Sequence, residues 1–151
     1  MGNRMKSRPE KTARPLEPTR RVSPIDSHNL ALEAAATALD KKAFDLALLD
    51  VRKLVSYAEY VLICSGSSDR QLAGVAQAIS KKMLEGGVKC RGIEGIDSGR
   101  WVLMDFGDVV IHIFLDPVRS LYDLEGLFHM AGQVEIPGYD RKRDQSYAQF
   151  A

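Results

Sequence analysis

Residues 60–83, YVLICSGSSDRQLAGVAQAISKKM, are the most informative for the fold class because they join a buried strand to an amphipathic helix. The apolar run at residues 60–65 is typical of a strand that is covered on both faces. Ser68, followed three positions later by Gln71, predicts a capping box at the start of the helix. The helix repeats apolar residues on one face, and Gly86-Gly87 ends it. That face consists of Leu72, Val75, Ala76, Ile79 and Met83.

Related patterns precede and follow this central unit. Asp26 or Ser27 is expected to cap a first helix. The apolar stripe of that helix is Leu30, Ala34, Ala38 and Leu39. Residues 46–51 predict a strand before the unit, and residues 88–93 predict a short strand after it.

The last third of the domain predicts a hairpin and then a helix. Residues 101–105 and 108–115 form the two strands, around a turn at Phe106-Gly107. Asp116 and Pro117 supply an N-cap and a first-turn proline for a helical region that extends to about Met130. The resulting order, αββαβββα, predicts an α/β fold with a mixed five-stranded sheet packed with helices.

Charge divides the chain into three parts. Residues 1–24 contain seven basic and two acidic residues and few bulky apolar groups, so we expect residues 1–25 to form a disordered basic arm. Residues 26–136 form the expected folded domain, and residues 137–151 a flexible polar tail. Residues 25–135 contain 16 acidic and 11 basic residues, a net charge of −5. Such a body suits a basic protein surface better than a phosphate backbone.

Composition also limits the cellular setting. Cys64 and Cys90 lack a CxxC partner, so we expect neither a disulfide framework nor a zinc site. The longest apolar run, residues 109–115, is far shorter than the ~20 residues of a membrane span. No signal sequence is evident, and three prolines in the arm disfavour an amphipathic transit helix. We therefore expect a cytoplasmic protein, in a bacterium or in an organelle descended from one.

The turn Gly66-Ser67-Ser68 invites an enzymatic interpretation. Backbone amides between a strand and a helix can hold a phosphate, and nucleotidyltransferase folds add two alternating carboxylates about ten residues later. Here residues 76–80 are AQAIS, which contain no metal ligand. Ser68 is therefore better explained as a helix cap. A divergent nucleotidyltransferase that uses Ser67, Asp105 and Asp108 is the main alternative.

The remaining polar groups of the predicted hairpin also have simple explanations. Asp105 and Asp108 would have to converge on one ion for metal chemistry, whereas aspartates in a hairpin turn need no ion. His112 alternates with Val110 and Phe114, so all three lie on one sheet face. We expect a half-buried histidine there, because no neighbouring serine or cysteine completes a catalytic triad. No catalytic residue, metal or cofactor is predicted.

Residues 121–130, LYDLEGLFHM, contain more large apolar groups than one helix face can bury. Either Gly126 divides the segment into two short helices, or part of its surface stays exposed for a partner. Trp101, the only tryptophan, suits a core or an interface equally.

Several short motifs follow one another in a distinctive order. They are LLDV at residues 48–51, CSGSSDRQ at 64–71, Glu94-Gly95 with Gly99 and Trp101, DFGDVVIHIF at 105–114, and then Arg119, Tyr122, Leu124-Glu125 and Leu127. Together they resemble the ribosomal silencing factor (Iojap) family over residues 31–134. The resemblance implies a nucleotidyltransferase-like fold without catalytic residues. Phe128 stands where the family usually has tryptophan, which would soften a partner contact, and Glu59 replaces a usual aspartate.

The resemblance also implies a binding function. Members of the family attach to the fourteenth large-subunit ribosomal protein, block joining of the ribosomal subunits, and lower translation when nutrients are scarce. Homodimers are common among them. On this basis we expect aromatic and aliphatic anchors and orienting carboxylates to contact the ribosomal protein. The candidate contact residues are Trp101, Asp105, Asp108, Tyr122, Leu124, Glu125 and Phe128. The basic arm could also touch ribosomal RNA, and an RNA-binding adaptor that acts through this arm is the second alternative.

Overall fold

A six-stranded mixed sheet forms the centre of the protein, in a computed structural model that describes residues 26–144. The predicted arm at residues 1–25 and the end of the predicted tail at 145–151 lie outside the described residues. The elements are α1 (Ser27–Asp40), β1 (Phe44–Asp50), β2 (Tyr60–Gly66), α2 (Asp69–Glu85), β3 (Gly92–Glu94), β4 (Trp101–Asp105), β5 (Val109–Leu115), α3 (Asp116–Tyr122), α4 (Leu124–Leu127) and β6 (Gly132–Gln133).

The strands lie in the order β3-β4-β5-β2-β1-β6. Only β2 and β5 are parallel neighbours, and the other pairs are antiparallel. All seven residues of β2 are buried, as the apolar run predicts for a central strand. The predicted α/β class with a mixed sheet is therefore confirmed. The sheet has six strands instead of five because Gly132–Gln133 pairs with β1 and forms an additional edge strand.

The helix starts follow the side-chain caps expected from the sequence. Asp26 caps α1 by accepting a hydrogen bond from the Asn29 N–H at 2.8 Å. Ser68 caps α2 by accepting from the Gln71 N–H at 3.1 Å. The Gln71 carboxamide oxygen accepts from the Ser67 N–H at 2.7 Å, one residue earlier than a capping box requires. Helices α1 and α2 pack on one face of the sheet and form the main core.

Several boundaries differ from the sequence prediction. The first strand is Phe44–Asp50 instead of residues 46–51, and β5 begins at Val109 instead of residue 108. The strand expected at residues 88–93 is only Gly92–Glu94. Asp116 is the first helical residue of α3 and not its cap, and Leu115 at the cap position provides no side-chain hydrogen bond.

The helical segment near the C-terminus is divided, but at Asp123 and not at Gly126. Asp123 has φ 45° and ψ 52°, the left-handed conformation, which no α-helix can continue through. Its side chain then caps α4 by accepting from the Gly126 N–H at 3.1 Å. A Cβ atom at position 126 would lie 2.2 Å from the Asp123 carboxylate, so the glycine makes room for this cap.

Candidate protein-docking face

The two faces of the sheet differ in how completely they are covered. Val109, Ile111 and Ile113 of β5 are fully buried beneath α1 and α2. The alternate residues Val110 and His112 point to the opposite face and are only partly buried. A helix layer therefore seals one face, while the other face is open over part of its area.

The closed half of this second face lies over β1 and β2. Val118 of α3 and Phe128, just after α4, pack there against Ala47, Val61 and Ile63. The open half lies over β3, β4 and β5. The strand register brings Glu94, Leu103 and His112 into one row across these three strands. Leu103 and His112 are partly buried and Glu94 is exposed, so this row faces the solvent.

Aromatic rings occupy the border between the two halves. The Trp101 ring centroid lies 5.0 Å from that of Phe114 and 4.5 Å from that of Tyr122. Phe114 is fully buried beneath them, whereas Tyr122 is 52% exposed. Gly95 permits this arrangement, because it has a positive φ and a Cβ atom there would lie 1.9 Å from the Trp101 carbonyl oxygen. These rings form a rigid apolar surface that a partner can cover.

His112 holds the Trp101 indole in place. The Trp101 Nε1–H donates a hydrogen bond to His112 Nδ1 at 3.0 Å. Burial lowers the pKa of His112 to about 4, so the imidazole is neutral at pH 7. A neutral imidazole that accepts at Nδ1 must carry its hydrogen on Nε2.

Carboxylates lie along one edge of the open half. Asp105 shares the face of Trp101 and Leu103, since the three alternate along β4. Its side chain also accepts a hydrogen bond from the Gly107 N–H at 2.8 Å, which confirms its role in the hairpin turn. Asp108 is exposed in the same turn, where the Arg91 guanidinium lies beside Gly107. Within residues 26–144, no group of three or more His, Cys, Asp or Glu side chains could hold a metal ion.

We define the docking face by the residues that surround the open half of the second face. They are Glu94, Trp101, Leu103, Asp105, Val110, His112 and Tyr122.

An ion network fastens the closed half in position. Arg119 is 7% exposed and donates to Ser65 Oγ at 2.9 Å, to Glu125 Oε1 at 3.0 Å and to the Asp45 carbonyl oxygen. Arg141 links the same two acidic residues, with its Nε 2.7 Å from Asp45 Oδ1. The network therefore ties β1, β2, α3 and α4 to residue 141, which lies in the predicted tail. Tyr139 adds a contact by donating to Asp144 and accepting from the Leu46 N–H.

The structure brings together part of the candidate site predicted from the sequence. Trp101, Asp105 and Tyr122 share the docking face, and Asp108 lies beside it. Leu124 is partly buried against a second core cluster, which occupies the closed half and includes Ala47, Val61, Ile63, Val118 and Phe128. Glu125 is engaged by Arg119 and Arg141, so its carboxylate is already paired.

Four of the seven candidates lie outside the docking face: Asp108, which is beside it, Leu124, Glu125 and Phe128. The least accessible of the four is Phe128. It is 5% exposed within the second core cluster and offers little surface to a partner. Leu103 and His112 were missed as contact candidates. The period-two alternation along β4 and β5 was the available signal, but it does not reveal which sheet face stays open.

The phosphate-binding interpretation of the Gly66-Ser67-Ser68 turn finds no support. The Ser67 N–H and hydroxyl both donate to the Gln71 side-chain oxygen, which occupies the groups that would bind a phosphate. In the part of the chain that the structure describes, no helix has the length and apolar character needed to cross a membrane.

Comparison with known proteins connects this fold to one family. The family model for RsfS, described as "Ribosomal silencing factor during starvation", matches residues 24–150. The ribosomal silencing factor RsfS of Bacillus subtilis is 44% identical over 103 residues, which cover 68% of this chain and 87% of the relative. The chloroplast protein Iojap of Arabidopsis thaliana is 35% identical over 124 residues, covering 80% of this chain and 50% of that protein.

A solved structure agrees with the sequence matches. The crystal structure of a protein from Chromobacterium violaceum superimposes with a TM-score of 0.68 at 35% identity, covering 78% of this chain and 96% of that one. The predicted family and the predicted absence of enzymatic activity are confirmed together by these matches. The chain belongs to the RsfS family, whose members are ribosomal silencing factors and not enzymes.

Proposed function

We propose that the protein binds the fourteenth protein of the large ribosomal subunit through the docking face and thereby blocks joining of the subunits. Translation falls because a large subunit that carries the silencing factor has no room for the small subunit. The observation that supports this proposal most directly is the open half of the second sheet face. There a rigid aromatic surface lies next to the carboxylates of Glu94, Asp105 and Asp108, in the segment 25–135 whose net charge is −5.

The chemistry of the face fits a protein surface with basic character. Aromatic groups at the centre of an interface supply most of the binding energy, and peripheral charges supply orientation and speed. Trp101 and Tyr122 have the first role here. Glu94, Asp105 and Asp108 have the second, since all three are exposed.

Three further features belong to the same proposal. We place its action in the cytoplasm, on ribosomes. We expect a homodimer, to which the exposed Leu121, Leu127 and Met130 can contribute apolar area. The basic arm contacts ribosomal RNA at the periphery but is not required for attachment, because the docking face supplies the specific contacts.

Sedimentation with purified ribosomal subunits tests the proposal. The full chain and a chain without residues 1–24 are mixed at moderate salt with separated large and small subunits. Both forms should sediment with the large subunit and reduce the fraction of joined ribosomes. If neither form moves with the large subunit, the proposed function is wrong. Loss of binding in the truncated chain alone would favour the RNA-binding alternative.

Replacement of Trp101 by alanine tests the face itself. The variant should weaken binding to the large subunit by at least ~1 kcal/mol, since an aromatic anchor is lost. Leu84→Ala is the matched control, because Leu84 is 60% exposed and lies on α2, beyond the opposite face of the sheet. Equal affinities of the folded Trp101→Ala variant and the control would remove Trp101 from the docking face.

A further inference from the structure

His112 is a polar group among the apolar side chains of β4 and β5 that lie next to it on the docking face. Its neighbours on β4 and β5 are Trp101, Leu103, Val110 and Phe114, and none of these side chains offers a hydrogen-bond acceptor. A histidine that merely filled space here would be replaceable by a hydrocarbon. Its two ring nitrogens therefore need separate explanations.

The first nitrogen has a structural role. Nδ1 accepts the Trp101 Nε1–H at 3.0 Å, and the ring centroids lie 5.8 Å apart. The indole N–H is a donor only, so this bond requires a lone pair on Nδ1. The remaining hydrogen of the neutral ring must therefore reside on Nε2.

The second nitrogen is available to a partner. Nε2 forms no hydrogen bond with any residue in the range 26–144, and it is not among the buried polar atoms that lack a bonding partner. The side chain belongs to a row that faces solvent between Leu103 and the covered half of the sheet. Nε2–H is thus a donor at the centre of the docking face, with its orientation fixed by Trp101.

We propose that His112 determines the specificity of docking by donating its Nε2–H to a carbonyl oxygen of the bound ribosomal protein. This inference rests on the proposed function, because it assigns a recognition contact within the same face. A covered donor without an acceptor is costly, so the contact selects a partner that places an oxygen opposite His112. Trp101 thereby contributes twice, as an apolar anchor and as the group that sets the histidine tautomer.

Three substitutions at one position separate the two nitrogens. His112→Phe removes both polar atoms and keeps an aromatic ring. His112→Asn places an oxygen near the position of Nδ1 but is too short to reach outward. His112→Gln places an amide nitrogen near the position of Nε2 and so retains the outward donor.

The test uses the full chain and the isolated fourteenth large-subunit protein of the same organism, with affinity measured by titration calorimetry. The Phe and Asn variants should bind about tenfold more weakly than the unmodified chain, and Gln within about threefold of it. Equal affinity of all four proteins would overturn the proposal. Equal weakening by all three substitutions would also overturn it, because packing and not the donor would then matter. If the unmodified chain itself does not bind, the proposed function fails instead.

Nitrogen-15 NMR of the histidine side chains supplies a readout that does not depend on binding. In the free protein the His112 resonances should show the hydrogen on Nε2, and that nitrogen should shift when the ribosomal protein is added. In the Trp101→Phe variant, His112 should populate both neutral tautomers, because the indole N–H donor is absent. Hydrogen on Nδ1 in the unmodified chain would contradict the inference.

Discussion

Leu103 and Met104 are neighbours in β4 and similar in size, yet their environments differ completely. Met104 is fully buried beneath helix α2, whereas Leu103 is partly exposed beside His112. The first residue contributes to stability and the second can contribute to recognition. The same alternation along β5 separates Ile111 from His112. One strand can therefore serve both purposes, because its side chains point alternately to a closed face and to an open one.

The closed and open halves of the second face also differ from each other. Its closed half depends on two short helices, and these contribute few apolar contacts compared with α1 and α2. The network around Arg119 compensates by joining these helices to β1 and β2 through charged hydrogen bonds. Its effect on stability and the effect of the open half on binding can be measured separately.

The largest effect on stability is expected from the loss of Arg119, which joins the closed half to β1 and β2. Arg119→Ala should lower the free energy of unfolding by about 3–5 kcal/mol, since it removes a buried guanidinium that bonds to Ser65, Glu125 and the Asp45 carbonyl oxygen. The partly buried carboxylates of Asp45 and Glu125 then keep Arg141 alone. Urea unfolding followed by circular dichroism measures the change. Arg52→Ala is the control, because Arg52 pairs with Asp50 on the surface, where an ion pair contributes little to stability. Similar losses in both variants would show that the network does not fasten the closed half.

The next largest effect comes from a pair of substitutions that compares the two faces of the sheet. Met104→Ala should cost about 2–5 kcal/mol of unfolding free energy, because it leaves a cavity in the main core. Leu103→Ala should cost less than ~1 kcal/mol, since the side chain is only partly buried. Binding to the large subunit should show the opposite order. Among folded variants, Leu103→Ala should bind more weakly, and Met104→Ala should bind like the unmodified chain. A stability loss for Leu103→Ala as large as that for Met104→Ala would mean that the second face is closed there.

The smallest effect is a change in acid sensitivity. Burial alone would raise the pKa of Glu125, but hydrogen bonds and charge from Arg119 and Arg141 outweigh burial and place the pKa below its usual value. A folded-state pKa below the unfolded value gives stability that is complete above the unfolded pKa and is lost as pH falls through the folded one. Glu125→Gln should therefore lose less stability than the unmodified chain when pH falls from about 5 to about 3. Parallel pH profiles of unfolding free energy in the two proteins would contradict this coupling.

Much of the fold follows from local patterns. The strand at residues 60–66, the helix behind Ser68 and the hairpin after Trp101 were all predicted, since each has a continuous period and a defined cap or turn. For the C-terminal helical segment the sequence left two alternatives open, a break at Gly126 or an exposed apolar surface, and the break occurs at Asp123. Glycine is the usual residue in a left-handed conformation, so an aspartate does not by itself predict that a helix ends at that position.

The candidate site was only partly predictable. Trp101, Asp105 and Tyr122 were selected because aromatic and acidic residues suit an interface with a basic protein, and they do share one face. Phe128 was selected for its size but lies in the core, and Glu125 is paired by two arginines. Leu103 and His112, which also lie on this face, were not among the predicted candidates. Their significance depends on the shortness of α3 and α4, which leaves β4 and β5 uncovered on that face.

The order of the elements from α1 to β5, the buried position of β2 and the family could all be predicted from the sequence, because each depends on residues that are close together in the chain. The tertiary structure determines which apolar and charged groups stay accessible to a partner and which are paired inside the protein. Asp45, Glu125 and Arg141 are far apart in sequence and meet only where a bulge in β1 approaches α4. Trp101 and His112 likewise meet only through the register of β4 and β5. Pairings of this kind depend on long-range geometry, which a local pattern does not encode.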